Sequence, residues 1–423
     1  MRLSRRLLLP LILLAALHAY IGWRLLPDLP IPGAARAAGG ALLCVSYLAM
    51  LVGLAARGAL PRSQAQRLAA PGLFMAAVFS FLLGFTVLRD LLSIPAILAL
   101  SPAHVHLLQA GSALLVVGLS AFATIAGFAS ARRPARIVRV DVPLANLPAA
   151  LHGFSIVQIS DVHVGHSIRE ADVAAIVAAV NALEPDLIAV TGDVVDGSVG
   201  ELAAHTAPLA GLRAVHGAFF VTGNHEYYSG ARGWIEEFRR LGLQVLLNEH
   251  AVIRHNGCAL IVAGVTDFSA HHFDAAGRSD PAAALSGAPR EAGARILLAH
   301  QPRSAEQAAA AGFDLQLSGH THGGQFWPWN LFVRFQQPFT AGLHRLNALW
   351  VYVSRGTGYW GPPNRFGAPS EITRLRLVPA RGSGSCEPAP VKAAASPPRL
   401  RQLRGLPAPA ERFDQRHARL EAL

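Results

Sequence analysis

Ser318-Gly319-His320-Thr321-His322-Gly323-Gly324-Gln325 places two histidines one residue apart on a glycine-flanked loop, directly after the apolar run Phe313 to Leu317. A strand that ends there can aim two imidazoles at neighbouring metal ions. Four other stretches repeat the pattern of an apolar run ending in polar donors. Phe154 to Ile159 ends at Ser160-Asp161-Val162-His163, and Leu187 to Val190 ends at Thr191-Gly192-Asp193. Phe219 to Val221 ends at Thr222-Gly223-Asn224-His225-Glu226, and Ile296 to Leu298 at Ala299-His300. Short continuous apolar runs suit strands buried on both faces. Between them Val173, Ile176, Val177 and Val180 fall on one helix face, which Pro185 closes. Asn256-Gly257 separates two further runs and predicts a tight hairpin. The expectation is an α/β fold with helices on the outer faces of its sheets and the polar clusters at strand C-terminal ends.

Asp161, His163, Asp193, Asn224, His300, His320 and His322 mix carboxylate, amide and imidazole donors. That mixture suits two divalent ions such as Mn, Fe or Zn, and not a thiolate zinc site. Two ions ~3.5–4 Å apart can clamp a phosphoryl group and activate water. The three cysteines are too few and too scattered for a disulfide framework or a Cys-type zinc site.

The order Asp-x-His, Gly-Asp-x-x-Asp, Gly-Asn-His-Glu, a lone His and Gly-His-x-His resembles the calcineurin-like metallophosphoesterases over roughly Arg136 to Arg376. The resemblance implies a four-layer α/β/β/α sandwich over 136–379. It implies that Asp161, His163 and His322 hold one ion, that Asp193 bridges, and that Asn224, His300 and His320 hold the other. His225 would protonate the leaving group, near neutrality as an imidazole can. Glu226 would orient His225 or lie at the surface, and Asp196 would support a turn or a ligand. Gly319 to Gln325, Ser354-Arg355-Gly356-Thr357-Gly358-Tyr359, Arg365 and Pro369-Ser370-Glu371-Ile372 resemble the membrane-associated bacterial branch. Arg355 and Arg365 are candidate phosphate contacts or salt-bridge partners. Arg303 stands where relatives often carry an acid, and it would meet a substrate anion or solvent.

Residues 1–131 read differently. Apolar runs over about 7–26, 37–56, 71–92 and 105–128 are each near the ~20 residues a membrane span needs, giving an all-α transmembrane region of about four helices. Arg5, Arg6, Arg57, Arg62, Arg67, Arg132 and Arg133 flank these runs on the side that the globular domain shares, so the positive-inside rule places both ends in the cytoplasm of a bacterial inner membrane. Ser4-Arg5-Arg6-Leu7 resembles a twin-arginine export signal, which points the other way. Intramembrane ionisable residues are sparse, and His18 and His106 fall near span ends, so the helices read as an anchor and not a transport path.

The formal net charge of +11 collects at membrane flanks and in the C-terminal tail, without the aromatic-interleaved basic stripe that stacks bases, so no nucleic-acid partner is expected. The tail over 380–423 is rich in Pro, Ala and Arg and reads as disordered, with a short helix at Glu411 to Leu423 as the alternative. His271-His272 could line the pocket, and Phe326, Trp327 and Trp329 could pack, cover an acyl chain or dip into the membrane interface. The expected activity is hydrolysis of a phosphodiester or pyrophosphate beside the bilayer. The substrate would be lipid-linked, as with the UDP-diacylglucosamine that some members of the resembled family cleave, or a soluble nucleotide. An inactive membrane scaffold or sensor is the reading from outside the enzyme class.

Overall fold

A computed structural model describes residues 5–59 and 62–380. Four long helices come first: α1 (Arg5–Leu25), α2 (Gly33–Ala59), α3 (Arg62–Ala99) and α4 (Pro102–Ala131). Each contains a stretch long and apolar enough to cross a bilayer. Leu9, Ile12 and Ile125 are 72%, 63% and 69% exposed, an arrangement that suits lipid and would be costly in water. The helix over the third run, α3, is the longest among the described residues and carries Pro71 and Pro95 within it.

One polar feature of the bundle departs from the sequence reading and a second adds to it. His18 is not solvated at an interface: it is buried, donates from Nδ1 to the Leu14 carbonyl, meets Ser46 Oγ at 3.2 Å and stacks on Phe79. Arg89 and Asp90 lie inside α3. Arg89 donates to Asp28, Ser112 and the carbonyls of Arg24 and Gln109, while Asp90 accepts from Arg24 and Tyr20. Ionisable side chains in an apolar bundle persist when paired in this way.

Twelve strands follow among the described residues: β1 (Arg136–Leu144), β2 (Ser155–Ile159), β3 (Leu187–Val190), β4 (Ala218–Phe220), β5 (Gln244–Val245), β6 (Glu249–His255), β7 (Cys258–Gly264), β8 (Ala294–Leu298), β9 (Leu315–Ser318), β10 (Gly342–Leu346), β11 (Leu349–Val353) and β12 (Glu371–Pro379). They form two six-stranded sheets, ordered β1-β12-β2-β3-β4-β5 and β10-β11-β9-β8-β7-β6. The central strands of each sheet run parallel, with antiparallel pairs at β12–β2, β6–β7 and β10–β11.

Period-two alternation decides the layering. Ile156, Leu187, Ala189 and Phe219 point between the sheets and meet Leu260, Val262, Ile296 and Leu317. Their neighbours Val157, Ile188, Val190 and Phe220 point outward against helices. On that outer face lie α5 (Glu170–Asn181), α6 (Val199–Thr206), the short α7 (Asn224–Tyr228) and α8 (Ala231–Arg240). The second sheet turns Ile261, Ala263 and Leu297 toward α9 (Pro281–Ala284) and α10 (Ala305–Ala311). The result is the expected α/β/β/α sandwich.

Local expectations hold for evident reasons. In α5 the buried residues are Val173, Val177 and Val180, and Asp172 accepts from the Arg169 backbone N–H to cap its first turn. Asn256 and Gly257 have φ of 49° and 79°, the doubly positive turn that joins β6 to β7. The tail, apart from Ala380, falls outside the described residues.

Candidate metal centre

The candidate ligands sit where strands break off into sharp turns. Asp161, His163, Asp193, His320 and His322 have φ of 52°, 54°, 53°, 69° and 52°. The left-handed region costs a non-glycine residue ~1–3 kcal/mol, and such strain gathers at functional sites. The loops also touch backbone to side chain. A Cβ on Gly319 would overlap Ser160 and Asp161, and one on Gly223 would overlap Asp193, so only glycine permits these approaches.

Three groups of side chains converge among the described residues, two of them built from the expected ligands and the third, His163, Asp196 and His225, sharing His163 with the first. In the first, ligand atoms of Asp161, His163 and His322 lie within 4.8 Å of one another. His163 Nε2 is 3.1 Å from His322 Nε2, which is 3.4 Å from Asp161 Oδ1. The His320 backbone N–H donates to both Asp161 oxygens at 2.9 and 3.1 Å and fixes that carboxylate. In the second group, Asp193, His300 and His320 converge likewise. His300 Nε2 is 3.0 Å from Asp193 Oδ2, and His320 Nδ1 is 3.0 Å from Asn224 Oδ1.

Hydrogen bonds made by the far ring nitrogens show whether these residues fit metal ions. His163 Nδ1 donates to Asp196 Oδ1 at 2.9 Å, and His300 Nδ1 donates to the Thr191 carbonyl at 2.7 Å. In the neutral rings each Nε2 is then left with a lone pair. His300 Nε2 is buried without a hydrogen-bond partner while facing a carboxylate, a contact that needs a cation or a proton between the two. Asp161, Asp193, Glu226 and Asp267 are at most 2% exposed, and such a concentration of buried acid calls for positive charge. Chelating residues oriented by outer partners are the usual build of a metal site. His322 is the exception: its Nδ1 lies 3.0 Å from Arg365 Nη2. Ligation through Nε2 puts a proton on that Nδ1, so the guanidinium must then turn to its carbonyl partners.

Electrostatics follow from the same crowding. Burial pushes the Asp161 carboxyl up, and the charge of Asp193 adds to it against the pull of nearby imidazoles. Burial and the neighbouring Asp193 push Glu226 up to about 8. Burial alone would lower His225, but Asp193 and Asp196 outweigh it and raise the imidazole to about 9. Burial and the charge of His300 lower His320 to about 3, which keeps its ring neutral.

Several supporting roles differ from the sequence reading. Asp196, and not Glu226, holds His225: Asp196 Oδ1 accepts from His225 Nδ1 at 2.6 Å as well as from His163. Glu226 instead accepts from the backbone N–H groups of Asp193, Val194 and Gly223, clasping two loops together. Arg365, a candidate phosphate contact, is 1% exposed and donates to the carbonyls of Gly358, His322 and Arg355, so it braces the loop instead of facing the cleft. Arg355 pairs with Glu371 at 3.0 Å with a third of its side chain exposed. Arg303 spends its donors on the Gln336 carbonyl. Phe326 and Trp327 pack against α3, while Trp329 is 46% exposed. The rings of His271 and His272 meet at a 40° tilt with centres 4.0 Å apart, in a loop whose Phe273 reaches Tyr227 and Tyr228. Asp267 escaped notice in the sequence. It is buried, accepts from Gln301 Nε2 and Ser269, and follows β7 as the other clusters follow their strands, so the same rule would have found it.

Residues 154–324 match the family described as calcineurin-like phosphoesterase. An uncharacterized metallophosphoesterase of Campylobacter jejuni is 33% identical over 266 residues, 62% of this chain and 69% of that protein. The chain belongs to the calcineurin-like phosphoesterases. A transmembrane protein with metallophosphoesterase domain from Danio rerio is 36% identical over 275 residues, and one of that description from Bos taurus is 38% identical over 278. The matches cover 63% of this chain in both cases and 63% and 62% of those relatives, so the chain spans under two thirds of their length.

Proposed function

We propose that the protein is a membrane-anchored, two-metal phosphoesterase that hydrolyses a phosphodiester or pyrophosphate bond on a lipid-linked substrate. The observation that supports it most is the pair of convergent ligand groups, with His163 Nε2 facing His322 and His300 Nε2 facing Asp193. Asp161, His163 and His322 would hold one ion, Asn224, His300 and His320 the other, and Asp193 both. When bound, two divalent ions supply water activation and neutralise charge at phosphorus. His225 is tied to Asp196 through Nδ1, which leaves Nε2 to hand a proton to the departing oxygen. Asp196 keeps that ring charged and oriented, and its second bond to His163 couples the acid to the ion site. Glu226 holds the Asp193 and Asn224 loops at a fixed separation. Trp360 and Tyr228 flank the His225 ring and shield it from bulk water.

The apolar helices beside this cleft favour a lipid-linked substrate such as a UDP-diacylglucosamine over a soluble nucleotide. The flanking arginines, through the positive-inside rule, support a catalytic domain on the cytoplasmic face of a bacterial inner membrane. In metal-defined buffer, Asp193→Asn or His322→Ala should lose about 10²–10³-fold in turnover while the protein stays membrane-bound, the scale of removing a group central to transition-state stabilisation. Near-wild-type turnover by either variant, or metal content well below two ions per wild-type chain, refutes the reading and leaves a scaffold.

A further inference from the structure

A cavity of ≈580 Å³ starts at the centre and runs into the helix bundle. His320, His322 and Trp360 form its near end, and Leu14 and Leu17 of α1, Met50 of α2 and Phe79 of α3 form its far wall. Among the described residues, no lysine, arginine, aspartate or glutamate lines it. Its size falls within the ~300–1,000 Å³ of ordinary ligand sites. The helices and the loop that carries the histidines are fixed against each other. Trp327 stacks on Phe85 with ring centres 4.4 Å apart, Arg365 N–H donates to the Gly127 carbonyl at 2.9 Å, and Asn364 donates to the Thr124 carbonyl.

From this continuity we infer that the helix bundle is part of the substrate site: the cavity takes an acyl chain of a lipid whose phosphate reaches His320 and His322. The inference rests on the phosphoesterase reading above. A peptide or a sugar would leave its polar groups without partners along the α1–α3 wall, at a cost that an alkyl chain avoids. One end of the cavity offers candidate metal ligands and the other offers aliphatic, thioether and aromatic surface around one hydroxyl, Ser80, whose hydrogen bonds are already taken by the Ala76 carbonyl and the Trp329 indole N–H, which matches an amphiphile end to end. A chain leaving the bilayer for this wall exchanges one apolar surrounding for another. The contacts therefore act chiefly by orienting the phosphate, which is where large rate effects arise. Trp329, 46% exposed, lines the cavity with the His-x-His loop, and the segment that follows it ends at Phe335, 78% exposed; such aromatic side chains can lie among lipid head groups.

The test uses the full chain in phosphatidylcholine nanodiscs loaded with Mn²⁺, and a matched pair of pyrophosphates: CDP-dioleoylglycerol and its deacylated counterpart CDP-glycerol. Ala76→Trp and Leu14→Trp fill the cavity, while Ile125→Trp adds the same bulk to an outward-facing position of α4. The ratio of kcat/KM for the acylated over the deacylated compound should fall at least tenfold in both cavity variants and stay within twofold in Ile125→Trp. An unchanged ratio in the cavity variants, or an equal fall in Ile125→Trp, overturns the inference. Should both cavity variants fail to fold, the wild-type protein decides. A phosphatidic acid carrying a diazirine in mid-chain should crosslink to residues 13–17 and 76–80 and be displaced by CDP-dioleoylglycerol but not by CDP-glycerol. Crosslinks confined to other helix faces overturn it. Turnover of bis(4-nitrophenyl) phosphate with no preference for the acylated pyrophosphate also overturns it and leaves the phosphoesterase reading standing. Absence of turnover on all three compounds at two ions per chain removes that reading as well.

Discussion

Asp196→Asn separates the two duties assigned to one carboxylate. Asp196 Oδ1 accepts from His163 Nδ1 at 2.9 Å and from His225 Nδ1 at 2.6 Å. The asparagine oxygen can keep both contacts, so the change removes charge and little else. A hydrogen bond to a charged group contributes about 1.5–3 kcal/mol and a neutral one about 0.5–1.5, so each bond loses about 1–1.5 kcal/mol. At ~1.4 kcal/mol per factor of ten, His163 should hold its ion about tenfold less tightly, and turnover should fall about tenfold through His225. Together these fall within the ~10–100-fold typical of outer partners of metal ligands. The assay is turnover against free Mn²⁺. Saturating metal should restore the first loss and leave the second, and in a His225→Ala background the second should vanish. His225 must carry its proton to donate it, so activity declines as pH rises through its pKa. Asp196 helps raise that pKa, so the variant's decline should begin at lower pH. Metal affinity and saturated turnover both within twofold of wild type would refute the assignment of Asp196 to the centre.

Gly84→Ala should destabilise the junction between α3 and the catalytic loops, because its Cβ would meet the Trp327 ring at 2.8 Å. Overpacking costs about 1–3 kcal/mol, or roughly 2–4 °C of Tm per kcal/mol, which a thermal shift on the solubilised protein can read; an unchanged Tm argues that the ring is not there. Glu226→Gln keeps two of three backbone acceptor contacts and sets an amide donor against the third, for a loss of about 1.5–3 kcal/mol and lower metal occupancy by elemental analysis. If occupancy is normal and only the pH profile moves, an orienting role for Glu226 returns. Removing the ions with a chelator should lower Tm, since each site filled at 100 times its Kd contributes about 2.7 kcal/mol; equal Tm values with and without EDTA contradict a bound pair.

The layers, and which polar side chains gather at the sheet ends, were legible because both depend on local pattern. Ile156 and Val157, or Ala189 and Val190, are equally apolar neighbours, and only a strand between a second sheet and a helix layer needs both. The donors were legible because each follows such a run. The supporting network was not. Glu226 lies beside His225 in sequence, but its oxygens turn back to the Asp193 and Gly223 backbone, whereas Asp196 reaches His225 across 29 positions. Arg365 looked like an anion ligand because arginine often is one, and only its burial among carbonyls shows where its donors go. His18 looked interfacial from its place along a hydropathy run, since its partner Ser46 and its stacking partner Phe79 belong to other helices.

Phe81 packs with Phe326 and Phe366, and Trp327 lies against Phe85. Half of that cluster belongs to a helix that leaves the ribosome some 240 residues before the other half, as the numbering of Phe81 and Phe326 shows. The bundle can therefore be inserted and complete before the loop beside the histidines has been synthesised, and the late-arriving loop closes onto a wall already standing. A chain started at residue 136 would make the loop with no wall to receive it, presenting Phe326, Trp327 and Phe366 to water as a patch prone to self-association.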